Sequence, residues 1–274
     1  MMFHRTFARA LGVVIPALGL GLAGWPAGAA ELEAVDLELA LAIDVSGSID
    51  DQEALLQREG YIAAFRHPEI IEAIGGGYLR RIAVAYYEWA GFGHMKVIAD
   101  WTVIHDTASA HGFAEQLTLE PPQTARRTAI SAAIAFGADF LEANRFDGTR
   151  RVLDISGDGP NNWDVLVTGA RDAAVARGIT INGLPIMNGR PSRYGSLPID
   201  NLDLYYQNCV IGGPGAFLVV AGNFTDFAQA ILRKLYLEIA GHTPSARPFL
   251  YPAGGRVAPP CDIGERRFDS IDDF

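Results

Sequence analysis

Zinc-ligand patterns and nucleotide-binding loops are missing from this 274-residue sequence, and cysteine is scarce, with only two residues. The six histidines have no spacing typical of a zinc site. No Gly-x-Ser-x-Gly elbow and no Walker loop occurs, so neither common type of hydrolase is indicated. The 22 lysines and arginines are scattered, and the formal net charge is −10. Nucleic acids and anionic membrane surfaces are therefore poor partners, and we expect no nucleic-acid binding.

Long apolar runs are also missing beyond the N-terminus. Residues 1–30 carry Arg5 and Arg9, then an apolar stretch, and then small residues up to Ala29 and Ala30. This order is typical of a secretory signal peptide cleaved near its end, and an uncleaved anchor is the alternative. We therefore expect export to the periplasm or the medium, without membrane insertion after cleavage.

The two cysteines, Cys209 and Cys261, would then lie in an oxidising compartment. An even number of cysteines favours a disulfide there, and one buried thiol with one loose thiol is the alternative. We expect one domain over residues 31–242, followed by a tail over residues 243–274 that is rich in proline and glycine. The tail is predicted to be extended over the domain or partly disordered, with a disulfide holding part of it.

Strand patterns alternate with helix patterns along the domain. The apolar run 36–43 is typical of a strand buried on both faces. Residues 80–89 and 95–104 are predicted to be strands of a hairpin, since Gly91 and Gly93 separate them. This alternation predicts an α/β fold with a doubly wound, mostly parallel sheet, one antiparallel edge strand and helices on both faces. The other predicted strands are 151–156, 179–186 and 216–221, and the predicted helices are 50–66, 107–118, 128–143, 162–177 and one from residue 223.

Oxygen-bearing side chains follow the strand ends. Asp44, Ser46 and Ser48 alternate directly after the first strand, Thr128 begins a helix, and Asp158 follows the strand 151–156. Ligands of open α/β sheets bind at the carboxyl ends of the strands, so we expect these five residues on one edge, with Asp44 on a solvent-facing loop. Carboxylates and hydroxyls suit a hard divalent cation. The alternative is that they only cap helices and stabilise turns.

This arrangement resembles the von Willebrand factor type A (vWA) domain, a Rossmann-like fold, with its metal-ion-dependent adhesion site (MIDAS). The motif is Asp-x-Ser-x-Ser, then a Thr and an Asp on separate loops, and the resemblance extends over roughly residues 36–241. The segments "ISGDGPNNWD" and "CVIGGPGAF" are similar to an uncharacterised bacterial secreted branch, domain of unknown function 1194-like. Arg126 and Arg127 precede Thr128, where glycine is common in the family. The resemblance implies that Mg²⁺ or Mn²⁺ is held by Asp44, Ser46, Ser48, Thr128 and Asp158.

The resemblance also implies a non-catalytic binding module. Its bound cation would capture the carboxylate of a Glu or Asp on a protein partner. A metal-dependent hydrolase of the phosphatase type, with Asp44 as nucleophile, is the alternative. Such a site requires a second Asp two residues later, where this chain has Ser46, so binding is favoured over hydrolysis.

Three further groups of polar residues have less specific roles. Asn161, Asn162 and Asp164 are expected to cap the next helix or to line the metal face. Asp154 lies in an apolar strand, so we expect hydrogen bonds to it in the core or at an interface. Glu88 lies at the end of a predicted strand, where exposure is favoured and a position facing the site is the alternative.

Overall fold

The computed structural model describes residues 1–2, 32–191, 197–223, 226–241 and 256–272, with side chains up to residue 268 in the last range. The predicted signal peptide therefore lies almost entirely outside the described residues, as does the first part of the predicted tail. Within the described ranges, no helix is both long and apolar enough to span a bilayer.

Seven strands and eight α-helices are present in the described part of the chain. The strands are β1 (Glu33–Val35), β2 (Glu38–Asp44), β3 (Ile82–Trp89), β4 (Met95–Ile104), β5 (Phe146–Gly148), β6 (Arg151–Gly157) and β7 (Thr180–Pro185). The helices are α1 (Asp51–Phe65), α2 (Pro68–Gly75), α3 (Thr107–Gln116), α4 (Ile130–Glu142), α5 (Val167–Ala176), α6 (Leu202–Tyr205), α7 (Phe227–Ile239) and α8 (Ile263–Asp272). A π-helical turn, Tyr206–Val210, follows α6 directly.

The central sheet has five strands in the order β4-β3-β2-β6-β7. Only the β3–β4 pair is antiparallel, so β4 is the antiparallel edge strand. The turn between them contains Phe92 and Gly93, both with positive φ. The predicted fold class is therefore confirmed. A small second sheet pairs β1 with β5, which the sequence analysis did not predict.

Helices cover both faces of the sheet, which explains why every residue of β2 is buried. The side chains of Leu39, Leu41 and Ile43 lie in one apolar cluster, which also contains residues of α1, α2, α3 and α7. The intervening Ala40 and Ala42 belong to the cluster that contains α4, α5 and α6. Alternate residues of a strand point to opposite faces, so one short run forms part of two cores.

Several local predictions were wrong. The helical spacing of Leu55 within the predicted helix 50–66 predicts that it faces inward, but Leu55 is 46% exposed. Residues 216–221 run parallel to the edge of β7 and form two isolated bridges and four backbone hydrogen bonds with β7 and the two residues after it, but they do not make a continuous strand. Glu88 is buried in β3 instead of exposed, since it forms an ion pair with the buried Arg58 of α1.

A buried cluster of charges lies between the sheet and α7. The Nζ atom of Lys234 is 2.5 Å from the Asp154 carboxylate and 2.5 Å from the Glu238 carboxylate. Asn182 of β7 donates a hydrogen bond to Glu238 at 2.9 Å. The expectation that Asp154 has polar partners in the core is therefore confirmed, and the ammonium of Lys234 is shared by two carboxylates.

The described part of the tail is irregular over residues 256–262 and helical from Ile263, whereas a tail that is extended over the domain or partly disordered was expected. A disulfide joins Cys261 to Cys209 at the end of the π-helical turn, and α8 begins two residues later. The guanidinium of Arg256 contacts the carboxylate of Asp203 through two hydrogen bonds. These links anchor the segment, so a helix forms despite the nearby prolines.

Replacing both Cys209 and Cys261 with serine is expected to lower the free energy of unfolding. The disulfide spans 52 residues, and a loop of that length contributes about 4 kcal/mol in the chain-entropy model. Urea denaturation of wild type, wild type with reductant, and the double variant would measure this effect. Equal stability of oxidised and reduced wild type would contradict a stabilising role.

Candidate functional site

The carboxyl edge of the sheet brings together the loops that follow β2 and β6, because these strands are parallel neighbours. Asp44 is the last residue of β2, and Asp158 directly follows β6. The backbone N–H of Ser46 donates to Asp44 Oδ1 at 2.7 Å, and Gln57 of α1 donates to the Asp44 carbonyl at 3.2 Å. The expectation that Asp44 faces solvent was wrong: its side chain is fully buried at the strand end.

Four of the five predicted residues are linked by one chain of side-chain oxygens. Thr128 Oγ1 lies 3.2 Å from Ser46 Oγ, which lies 3.1 Å from Ser48 Oγ. Ser48 Oγ donates to Asp158 Oδ1 at 2.5 Å. Asp44 is joined to this chain through the backbone of Ser46. The structure thus brings together all five residues that the sequence singled out, and Ser48 is the most exposed of them.

Asparagines hold the Thr128 loop against the Asp158 loop. Thr128 N–H donates to the side-chain oxygen of Asn162 at 2.8 Å, and Asn162 N–H donates to the Thr128 carbonyl at 2.8 Å. The side-chain oxygen of Asn161 accepts from the N–H of Ser131 in α4 at 3.0 Å. The capping prediction was wrong, because α5 begins later, at Val167, and these amides join the start of α4 instead.

Two arginines stand before Thr128 at the position where glycine is common in the vWA family. Arg127 has φ +72°, the conformation that glycine adopts readily. Gly91 N–H donates to the carbonyls of Arg126 and Arg127. A Cβ on Gly91 would lie 2.2 Å from Arg127 Cβ, so the approach of the two loops requires glycine on the hairpin side.

Burial determines the electrostatics of the two carboxyls. It raises the pKa of Asp44 well above its usual value, and the charge of Asp158 adds to this effect. Burial also raises the pKa of Asp158, to about 6, while the hydrogen bond from Ser48 opposes the shift and the charge of Glu53 adds to it. Two buried carboxylates repel each other and lose hydration, so a cation between them would stabilise their charged forms.

Sequence reasoning missed two polar residues of this edge. Asn188, three residues after β7, donates to Asp158 Oδ2 at 2.9 Å. Its place after a third parallel strand is the signal that could have identified it. The buried hydroxyl of Tyr206 and Asp44 Oδ2 both lie close to Gly157, since a Cβ there would be 2.8 Å and 2.7 Å from them. Nothing in the sequence pattern around Tyr206 indicated that position.

The donor set fits a hard divalent cation. Asp44 Oδ2 is buried and has no hydrogen-bond partner among the described residues. Two carboxylates and three hydroxyls offer only oxygen ligands, the kind that Mg²⁺ and Mn²⁺ prefer. In the described ranges, no group of three or more His, Cys, Asp or Glu side chains could hold a metal ion, so the hydroxyls would be needed as ligands.

Comparison with protein families gives one match. A family model described as "Protein of unknown function (DUF1194)" matches residues 34–243. The match covers the central sheet and all five residues of the candidate site. No curated protein matches the sequence.

Solved structures share the fold at low sequence identity. Proximal thread matrix protein 1 (PTMP1) from the mussel byssus has a TM-score of 0.56 at 12% identity, covering 77% of this chain and 50% of PTMP1. Another PTMP1 structure, described with a zinc-occupied MIDAS motif, has a TM-score of 0.53 at 10% identity, with the same 77% and 50% coverage. The pilus adhesin SpaC from Lactobacillus rhamnosus GG has a TM-score of 0.56 at 12% identity, covering 77% of this chain and 31% of SpaC. This chain therefore spans about half the length of PTMP1, and the likeness shows a vWA-like fold.

Proposed function

This chain belongs to the DUF1194 family, and from that premise and the site geometry we propose that it is an exported binding module. The proposed module holds Mg²⁺ or Mn²⁺ through Asp44, Ser46, Ser48, Thr128 and Asp158. The cation captures an acidic group, a Glu or Asp carboxylate, on a protein partner. The vWA-like fold itself suggests a protein-interaction or adhesion module.

The observation that carries the proposal is the convergence of hydroxyls and carboxylates on one edge. The residues of this oxygen chain come from three separate loops. Each side-chain oxygen nevertheless lies within 3.2 Å of the next one, in the order Thr128, Ser46, Ser48 and Asp158. Helix capping alone does not require this, since the N-cap residue of α4 is Ala129, whose side chain makes no cap bond. Buried polar groups that only stabilise turns are normally satisfied locally, and here the partners are 82 and 110 residues apart.

The charges of the site and a solved structure with the same fold both support a bound metal ion. Two buried carboxylates close together are costly unless a cation offsets them. PTMP1, which shares the fold, has a structure described with a zinc-occupied MIDAS motif. When bound, the cation would supply a positive site for one carboxylate oxygen of the partner, and the hydroxyls would leave it only partly neutralised.

The residues of this chain have distinct tasks in the proposal. Asp44 and Asp158 bring negative charge to the cation, while Ser46, Ser48 and Thr128 bring neutral oxygens. Asn162 fixes the Thr128 loop, and Asn188 orients Asp158. In a hydrolase of the phosphatase type, the residue two positions after the nucleophile is an acid, whereas Ser46 contributes a hydroxyl to the oxygen chain.

Export is part of the proposal. The order of charged, apolar and small residues before Glu31 supports a cleaved signal peptide. The disulfide between Cys209 and Cys261 suits an oxidising compartment, the periplasm or the medium. N-terminal sequencing of the recovered protein tests this, and a mature chain that begins at Met1 or Met2 contradicts it.

Titration calorimetry and thermal unfolding of the oxidised wild type test the metal site. Mg²⁺ or Mn²⁺ is expected to bind and to raise the melting temperature, and a concentration 100 times Kd stabilises the fold by about 2.7 kcal/mol. EDTA should reverse the shift. If millimolar Mg²⁺ and Mn²⁺ produce neither heat nor a shift, the residues are turn and capping groups, and the proposal is wrong.

A further inference from the structure

Three aromatic rings surround the guanidinium of Arg127. The centroids of Phe92 and Trp163 are 4.5 Å apart, and Arg127 Cζ lies 5.9 Å and 5.2 Å from them. The ring of Phe268 from α8 also lies over this guanidinium. We name Phe92, Trp163, Phe268 and Arg127 the aromatic cluster. Its side chains come from the β3–β4 turn, the loop before α5 and the last helix.

The aromatic cluster directly adjoins the candidate metal site. Arg127 is the residue before Thr128, and Trp163 is the residue after Asn162, which exchanges two hydrogen bonds with Thr128. Consecutive Cα atoms are about 3.8 Å apart, so the cluster begins one residue from a proposed ligand. The cluster and the candidate metal site are therefore neighbours along two of the loops that form this edge.

Two aromatic side chains of the cluster are exposed to solvent, although exposure of large apolar groups is unfavourable. The side chain of Phe92 is 60% exposed and that of Trp163 is 38% exposed. Phe92 also has φ +55° and Arg127 has φ +72°, and non-glycine residues in this region cost about 1 kcal/mol or more. Glycine or asparagine would form the β3–β4 turn at lower cost. Strained, exposed aromatic residues beside a binding site indicate a contact surface.

Building on the proposed function, we infer that the partner presents an extended segment in which the metal-binding acidic residue lies within two positions of an aromatic residue. The acidic side chain binds the cation, and the aromatic ring packs on Phe92 and Trp163. The charges are complementary, because the cation and the guanidinium of Arg127 both attract an acidic segment. In an extended chain each residue advances about 3.3 Å, so a neighbour one or two positions away reaches the cluster.

Three synthetic peptides test the inference on the oxidised, Mn²⁺-loaded protein. The first is acetyl-Gly-Ser-Trp-Glu-Ser-Gly-amide, the second has serine in place of tryptophan, and the third has glutamine in place of glutamate. The first is expected to bind about tenfold more tightly than the second, since a packed aromatic pair and its buried area contribute at this scale. The third should not bind, and EDTA should abolish binding of the first two.

Phe92→Asn is the informative variant. Asparagine tolerates the positive φ, so the variant should unfold at or above the temperature of wild type while Mn²⁺ affinity is unchanged. Its preference for the tryptophan peptide should fall from about tenfold to about twofold or less. Tyr78→Ser is the matched control, because Tyr78 is an exposed aromatic residue before the opposite end of β3, and it should keep the full preference.

The outcomes separate this inference from the proposed function. If Mn²⁺ binds but the glutamate peptides bind equally well with tryptophan or serine, the inference is overturned and the metal-dependent module stands. If Mn²⁺ binds and no peptide binds at millimolar concentration, the inference is also overturned. Binding of the tryptophan peptide that survives EDTA would show that the cluster acts without the cation, which contradicts the joint site.

Discussion

Asp44→Asn is expected to abolish the stabilisation by Mg²⁺ or Mn²⁺ while leaving the metal-free protein at least as stable as wild type. Asparagine keeps the acceptor for the N–H of Ser46 but removes a buried negative charge. Because burial raises the pKa of Asp44, its protonated carboxyl contributes stability that is fully present below the unfolded pKa. This contribution is lost as the pH rises through the folded pKa and a buried charge forms. A neutral amide has no such loss.

Thermal unfolding at pH 7, with and without Mg²⁺, measures both effects. The melting temperature should rise with Mg²⁺ in wild type and stay unchanged in Asp44→Asn. Asp139→Asn is a suitable control, since Asp139 is exposed on α4 and pairs with Arg177 away from the site. It should keep the full metal response. A full response in Asp44→Asn would exclude Asp44 as a ligand.

Lys234→Met is expected to lower the free energy of unfolding strongly. It leaves the carboxyls of Asp154 and Glu238 buried without the ammonium that contacts both of them. Removing one partner of a buried ion pair costs about 3–5 kcal/mol. Urea denaturation at pH 8 measures this loss. Stability equal to that of wild type would show that the carboxyls do not depend on Lys234.

The pH dependence of this variant provides a second test. Burial raises the pKa of Asp154 to about 7, with the charge of Glu238 adding to the shift and Lys234 opposing it. The folded pKa lies above the unfolded value of about 3.9, so this contribution to stability is lost as the pH rises through about 7. Without Lys234 the pKa should rise further, so the destabilisation should be smaller at pH 5 than at pH 8.

Glu238→Gln is the matched control for the cluster. Its side-chain oxygen can still accept from Asn182 and Lys234, and one ammonium then faces one carboxylate. The variant should be close to wild type in stability and should vary less between pH 5 and pH 8. A steeper pH dependence than wild type would contradict the shared-ammonium arrangement.

Hydrophobic patterning predicted the sheet because burial on two faces leaves a clear signal. β2 is apolar at nearly every position, and the β3–β4 hairpin has glycines between two strand patterns. Hydrophobic patterning gave wrong predictions where tertiary contacts determine whether a residue is buried or paired. Leu55 has helical spacing but faces solvent, and residues 216–221 are apolar and pair with β7 without forming a continuous strand. Glu88 could not be placed, because its partner Arg58 is 30 residues away.

The five residues of the candidate site could be predicted because each follows a strand end or begins a helix. The carboxyl ends of parallel strands lie at one edge of the sheet, so these positions are close together for any conformation of the loops. The supporting residues were harder to identify. Asn161 and Asn162 look like helix caps in sequence, and only the delayed start of α5 shows that they hold the Thr128 loop. The contact of α8 with this edge is encoded by no local pattern.

Helix α8, which is synthesised after all five proposed ligands, contacts the loops that carry them. The side chain of Asn161 donates to Glu265 of α8 at 2.7 Å, and Phe268 lies over Arg127. A ribosome completes the proposed ligands more than a hundred residues before it reaches Glu265. The loops of the edge therefore gain these contacts only after α8 has been made, and the disulfide of Cys261 with Cys209 adds a covalent link just before α8. A chain truncated before Arg256 would contain every proposed ligand but would lack α8 and its contacts with the ligand loops.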